Sequence, residues 1–356
     1  MKKILMSTAA LVGLAFVAAA PARAEDPALQ LGVGGYINGY AVYTDQDGAN
    51  LRKFDFRKQA KIHLNGEVAL DNGITAGAYF QLLADRSEGA STIEESYLYL
   101  SSNWGRINLG EEDGIAYLIQ VAPPMVDAEV DGPRPDIGTF TAANGGTLRY
   151  DQAPFAYTNK FTYITPSFNG FQAGFSYTPS PSAGDLAGTA ASVTSNTAGD
   201  LKNGWEVAGR YEGSFDAVDA AIGAGYSKAT RNSGRDLKDW NVGTSFGFGG
   251  FGLGAAYVNF DQNAAADTKT TGWVFGGDYV TGPYKLGLNY TTVNVGNGTG
   301  LKKTGVDRWT AGAIYEWGPG MTFRGAVQYQ KANDVGGVPT ADNKGTQVTL
   351  GTQLEF

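Results

Sequence analysis

The chain has 356 residues, including 51 glycines, 19 tyrosines and 18 phenylalanines, and its formal net charge is −8. This acidic balance argues against a nucleic acid partner, and one histidine without any cysteine argues against a zinc or haem site. Glycine and aromatic residues at this level favour strands and turns over helices.

Residues 1–24 have the pattern of a secretory signal peptide. Lys2 and Lys3 form a basic start, an apolar stretch follows, and Ala22 and Ala24 supply the small residues that signal peptidase requires. Cleavage before Glu25 would change the net charge to −11, since three basic residues are removed. We therefore expect residues 25–356 to form a single exported domain. It contains no second apolar run of the ~20 residues that a spanning helix needs.

The exported part consists of segments of about ten residues in which apolar positions alternate with polar ones. Between Phe54 and Leu70, Phe56, Ile62 and Leu64 share one parity, which only Lys58 and Gly66 interrupt, and the other charged and amide side chains occupy the opposite parity. The pattern recurs to the end of the chain and predicts about sixteen strands, each with one face toward lipid and one toward water.

The connections between these segments alternate in length. Tight turns such as 71–73, 103–105, 249–250 and 318–320 are separated by longer polar stretches. Short turns at one end and long loops at the other are typical of a transmembrane barrel, whereas a soluble sandwich has no reason to segregate them. The predicted fold is therefore an all-β, transmembrane antiparallel β-barrel.

Three stretches carry a resemblance to a known family. The last strand, 346–356, ends in an aromatic residue, Phe356. The segments 104–110 and 158–171 have the residue patterns of a fifth strand and of a sixth and seventh strand in one family of barrels. The chain here resembles the Gram-negative porins, most closely the alphaproteobacterial type. The resemblance implies an outer-membrane channel for passive diffusion, a homotrimer embedded in lipid, and recognition of Phe356 by the barrel-assembly machinery. It also implies a constriction loop after strand 5, folded into the lumen.

The longest connection, about residues 111–152, stands where that constriction loop is expected. Its acids are predicted to line the pore: Glu111, Glu112, Asp113, Asp127, Glu129, Asp131 and Asp136. Basic residues on the inward parity should form the opposing wall, because a Lys or Arg facing lipid at mid-depth costs about 2–4 kcal/mol. They are Arg57, Lys61, His63, Arg106, Arg210, Arg308 and Arg324, of which Arg57, Lys61, Arg106 and Arg324 are the candidates for the narrowest level.

The acidic loop predicts a weak preference for cations. Two alternatives remain open: a substrate-specific channel for sugars or anions, and a structural or adhesive barrel plugged by its loops. Apart from a Ca²⁺ site at Asp127, Glu129 and Asp131, which matches the EF-hand loop poorly, no cofactor is expected.

No enzymatic site is predicted. The single histidine, His63, has polar neighbours on its inward row, and the Gly-x-Ser-x-Gly motif is absent. The adjacent pairs Glu94-Glu95 and Glu111-Glu112 are expected to point to opposite faces of a strand and cannot act together.

Overall fold

The computed structural model describes residues 29–85, 93–181, 200–262, 268–296, 303–334 and 342–356. In these ranges sixteen antiparallel strands form one closed barrel, as predicted, with each strand paired to its sequence neighbours. The predicted signal peptide lies outside the described residues. The strands are β1 (Gln30–Gln46), β2 (Phe54–Ala69), β3 (Thr75–Leu83), β4 (Ile93–Ser102), β5 (Gly105–Glu112), β6 (Thr158–Ile164), β7 (Phe171–Thr178), β8 (Leu201–Phe215), β9 (Val218–Arg231), β10 (Leu237–Phe248), β11 (Phe251–Asp261), β12 (Thr270–Thr281), β13 (Tyr284–Val295), β14 (Thr304–Gly318), β15 (Met321–Asn333) and β16 (Asn343–Glu355).

The alternating pattern of the sequence decides which face of each strand turns outward. On β2 the outward row includes Phe56, which is 76% exposed, while Gln59 and His63 on the other row are buried in the interior. On β16 Leu350 is 65% exposed and Gln347 is fully buried. Compared with a water-soluble protein, the distribution of side chains is reversed: apolar side chains lie outside and hydrogen-bonded polar side chains lie inside. This distribution suits a wall between lipid and water.

The barrel closes between β1 and β16. The register pairs Tyr36 with Glu355, and one step further the backbones of Gly35 and Phe356 exchange two hydrogen bonds of 2.9 and 3.0 Å. Closure satisfies the edge groups of both terminal strands, so neither offers an unpaired edge to the membrane.

The wall is uneven in height. Strands β5, β6 and β7 have eight, seven and eight residues, whereas β1, β2 and β8 have 17, 16 and 15. The predicted tight turns all occur at one end of the barrel. Between β5 and β6 lie two four-residue helices, α1 (Ile115–Leu118) and α2 (Ala128–Asp131). No described helix has the length and apolar character to cross a membrane.

Candidate functional site

The segment between β5 and β6, residues 113–157, folds into the barrel, and we call it the inner loop. The sequence placed a constriction loop at about 111–152; the structure keeps 111–112 in β5 and extends the loop to the start of β6 at Thr158. Its apolar side chains Ile115, Val121 and Val126 are almost fully buried against the wall. One side of the lumen is therefore filled by this segment.

The inner loop lies against a row of glycines on the interior face of the barrel. A methyl group on Gly243 would overlap the carbonyl oxygen of Val121, and one on Gly276 would overlap that of Pro124. Further glycines contact the loop in the same way from neighbouring strands: Gly174, Gly225, Gly254, Gly287 and Gly312. We call this set the glycine track. Only residues without a side chain let the loop backbone approach the wall so closely.

Beyond the glycine track, polar side chains of the wall bind the returning half of the loop. Gln347 accepts a hydrogen bond of 2.9 Å from the backbone of Thr139, and Gln330 donates one of 3.0 Å to the carbonyl of Gly146. Buried Gln152 donates to Ser227 at 2.8 Å. The loop is thus held along its length, and it acts as part of the wall.

A buried guanidinium holds the two ends of the loop together. Arg134 binds both carboxylate oxygens of Asp113, at 2.8 and 2.9 Å, and its Nε donates to Asp151 at 2.7 Å. Its Cζ lies 4.1 Å from the centre of the Tyr117 ring. A two-pronged pair with a carboxylate fixes direction as well as distance, so this contact sets the shape of the loop.

At the tip of the loop, Asp127 caps α2 and anchors the tip to the barrel. Its carboxylate accepts hydrogen bonds from Tyr40 at 2.7 Å, from Arg324 at 2.9 Å and from the backbone of Glu129 at 3.1 Å. Asp131 is fully buried and accepts from the backbone nitrogens of Val126 and Asp127. Burial raises its pKa to about 6. Both acids are therefore structural parts of the tip.

Glu129 and Asp136 are the acids that the tip presents to the open lumen. Asp136 is exposed and accepts a hydrogen bond from the Gln59 side chain, while Glu129 is half-buried and has no ion-pair partner among the described residues. Burial, followed by the negative charges of Asp127 and Asp136, raises the pKa of Glu129 to about 8.

Beside these acids stands the interior row of β2, whose Gln59 is the donor to Asp136. Arg57 on this row is exposed and unpaired within the described chain. Lys61 forms an ion pair of 2.8 Å with Glu94, and both side chains are mostly buried. Acidic and basic side chains thus lie near one another at the loop tip, where charges interact more strongly than on an open surface.

Glu111 and Arg308 are among the predicted pore residues that do not line the open lumen. Glu111 shares the parity of Leu109, which is 59% exposed, and therefore faces the outside of the barrel. Arg308 points inward but is 2% exposed, because the loop covers it and the carbonyl of Leu148 lies 3.5 Å from its Nη2. Strand alternation explains why Glu111 faces outward, and the position of the inner loop against the wall explains why Arg308 is covered.

The remaining predicted residues lie inside the barrel but away from the place where the loop tip meets β2. Glu112 is buried and bound to Asn108 at 2.8 Å. His63 is buried beside the Tyr79 hydroxyl, and the Arg106 guanidinium lies 3.9 Å from the centre of the Tyr99 ring. Arg210 pairs with Glu212 at 3.4 Å near the end with the tight turns.

Two further acids, Glu94 and Glu95, lie on the interior wall, where the sequence did not predict them as a pair. A register shift at Gln81 and Leu82 of β3 breaks the alternation of β4, so that Glu95 faces Gln81 while Glu94 also reaches Gln81 and Lys61. Both carboxylates therefore face inward, contrary to the expectation for adjacent strand residues. A bulge has this effect, and no residue in the sequence marks it.

Two of the three acids of the suggested Ca²⁺ site are bound to other partners. Asp127 binds Arg324 and Tyr40, and Asp131 binds backbone nitrogens. Over the described residues no group of three acidic or histidine side chains has the arrangement of a metal site.

Comparison with known proteins places this geometry in context. A family model described as Gram-negative porin matches residues 7–335. The outer membrane porin protein 32 of Delftia acidovorans is 24% identical over 282 residues, which cover 75% of this chain and 74% of that protein.

Solved structures share the barrel. An anion-selective porin from Comamonas acidovorans superposes with a TM-score of 0.64 at 19% identity, covering 92% of this chain and all of that one. A variant of the Rh. blastica porin gives a TM-score of 0.61 at 16% identity with the same coverage. At these identities the likeness concerns the fold alone.

Proposed function

The chain belongs to the Gram-negative porins, which are outer-membrane channels and not enzymes, and on this premise we propose that it carries ions and small polar solutes through a charged constriction. The observation that carries the proposal is the inner loop, which lies on the glycine track and presents Glu129 and Asp136 to the interior row of β2. Water and dipolar solutes would be oriented in this gap, while an apolar solute would lose hydration that the gap cannot replace.

We further propose a weak preference for cations, which is strongest above the pKa of Glu129, about 8, where that group is ionised. Around the gap, Lys61 is balanced by Glu94 and Arg324 by Asp127. The groups left without an ion-pair partner in the described chain are the acids Glu129 and Asp136 and the base Arg57. The competing proposal is anion preference, which is the printed property of the Comamonas acidovorans porin.

We also propose that the protein is a homotrimer in the lipid of the outer membrane and that assembly reads its C-terminal strand. The uneven wall supports an oligomer, because strands of seven or eight residues are shorter than the 9–11 that cross the hydrocarbon core. Phe356 supports the assembly role, since its side chain is exposed on the outward row of the strand that closes the barrel.

Single-channel recording on the purified full-length protein in a planar bilayer tests the proposed function. We expect open channels whose conductance rises with salt concentration and which sugars do not block saturably. Saturable block would instead indicate a substrate-specific channel, and negligible conductance a plugged barrel.

A further inference from the structure

A row of aromatic side chains runs along the outer face of strands β8 to β12, near the end of the barrel that carries the long loops. Its members are Trp205, Tyr226, Trp240, Tyr257 and Trp273. The ring centroids of Trp205 and Tyr226 are 5.4 Å apart, and those of Trp240 and Tyr257 are 4.9 Å apart. Amphipathic rings of this kind lie at the level of the lipid headgroups, so the row marks the edge of the hydrocarbon core.

Two lysines stand just beyond this aromatic row and face each other directly. Lys228 follows Tyr226 by two residues on the outward row of β9, and the register pairs it with Lys238 of β10. Each lysine is ten residues from the tight-turn end of its strand, and about 9–11 tilted residues cross the hydrocarbon core. Lys202 of β8 lies on the same face, one outward position nearer the loops. We call Lys202, Lys228 and Lys238 the lysine patch.

No acid neutralises the lysine patch within the described part of the chain, where none of its ammonium groups forms an ion pair. The residue opposite Lys238 on β11 is Asp261, but Arg235 and Lys269 bind its carboxylate at 3.0 and 3.5 Å. Asp236, in the connection before β10, accepts a hydrogen bond of 3.2 Å from a backbone nitrogen. Like charges directly opposite one another destabilise a sheet, so this surface requires an anion from outside the chain.

Another part of the same rim shows what an internally neutralised pair looks like. Lys331 of β15 and Lys344 of β16 are also paired in the register, ten and eleven residues from the tight-turn ends of their strands. Here, however, Lys331 forms an ion pair of 3.3 Å with Asp342 and lies opposite Asp307 on β14. The two lysine pairs therefore share depth and register, and they differ in the acids that the chain supplies.

We propose that the lysine patch binds the phosphate headgroup of an anionic lipid in the outer leaflet of the membrane. The phosphate accepts hydrogen bonds from Lys228 and Lys238, and Lys202 binds a second anionic group of the same headgroup. The acyl chains extend from there along the aromatic row. Charge complementarity determines this choice of occupant, because basic side chains at the headgroup level attract anionic lipids. The inference goes beyond the proposed channel, since these side chains face away from the lumen.

Native mass spectrometry of the full-length protein in neutral detergent, titrated with diphosphoryl lipid A, tests the inference. We expect several-fold weaker binding to Lys228→Gln combined with Lys238→Gln than to the wild type. The matched control, Lys331→Gln combined with Lys344→Gln, removes the same charge at the same depth and should bind like the wild type. Equal binding by all three proteins, or an equal loss in both variants, would overturn the inference.

Two further probes identify what the patch recognises. Phosphatidylcholine, whose headgroup is zwitterionic, should bind equally to the wild type and to the Lys228→Gln, Lys238→Gln variant. The same loss for this lipid as for lipid A would show that anionic charge is not recognised. An excess of glycerol phosphate should leave lipid A bound, whereas displacement would show that the site binds free phosphate and would refute a lipid as its occupant.

Conservative variants guard against effects on folding. Lys228→Arg combined with Lys238→Arg keeps both charges and should bind lipid A like the wild type, and a loss as large as that of the glutamine variant would contradict the role of charge. Lys238→Gln alone should show part of the loss, and it decides the question if the double variant does not assemble. Single-channel conductance should be the same in every variant, so a failure of the proposed channel is detected separately.

Discussion

At the scale of single residues, the contact between Asp127 and Arg324 fixes the position of the loop tip. The carboxylate is 3% exposed and the guanidinium 11%, and Tyr40 donates a further hydrogen bond to the same acid. Removing one partner of such a pair leaves a buried charge uncompensated, which costs more than the pair itself contributes.

Arg324→Ala should therefore destabilise the tip, by about 3–5 kcal/mol if Asp127 stays charged. We expect more frequent current fluctuations in single-channel traces and a lower temperature of thermal unfolding. The matched control is Lys331→Ala on the same strand, whose ion pair with Asp342 is almost half exposed and contributes at most about 1 kcal/mol. Identical traces for the two variants would show that the Asp127 contact does not hold the tip.

Glu129 gives the selectivity a dependence on pH. Because its pKa is raised to about 8, the group is mostly neutral below that pH and becomes negative above it. The preference for cations should increase as the pH is raised from about 7 to about 9, where most of this group ionises. Reversal potentials in a salt gradient measure the change, and Glu129→Gln should remove this component. An equal change in the variant would assign it to another group.

Which residues would meet at the gap could be predicted only in part. Strand parity correctly placed Arg57 and Lys61 inside, since alternation is local. It also shows Glu111 outside once β5 is known to extend past it, and the sequence analysis assigned that residue to the loop instead. Glu94 could not be placed, because the bulge that turns it inward depends on the register between β3 and β4.

At the scale of elements, the strands and tight turns could be read from the sequence because alternation and turn residues are local signals. The position of the inner loop against the wall could not be read from the sequence, because it depends on contacts between residues far apart in the chain, such as Val121 with Gly243. A partial signal was present. Glycines recur at inward positions of successive strands, where a polar side chain would otherwise be expected.

The glycine track predicts a specific sensitivity. Gly243→Val should push the loop away from the wall and into the lumen, because its side chain would overlap the backbone of Val121. Overpacking of this kind costs about 1–3 kcal/mol. We expect lower single-channel conductance. Gly39→Val is the matched control, since nothing lies within 4 Å of the added carbon at that position. Unchanged conductance in Gly243→Val would contradict the close seat of the loop.

At the scale of the whole molecule, two surfaces have opposite requirements. The outward rows must be apolar where they meet lipid, and the interior must be polar and hydrogen-bonded where it meets water. A closed barrel must also leave no strand edge unpaired. Pairing of β1 with β16 satisfies this requirement.

The most direct test of the account is the reversal potential of single channels in a KCl gradient at about pH 9, where Glu129 is ionised, measured for the wild-type protein and for Glu129→Gln combined with Asp136→Asn. We predict weak cation selectivity in the wild type and its loss, with the channel still open, in the double variant. Anion selectivity in the wild type, or an unchanged potential in the double variant, would contradict the claim that the acids of the inner loop set the field in the pore.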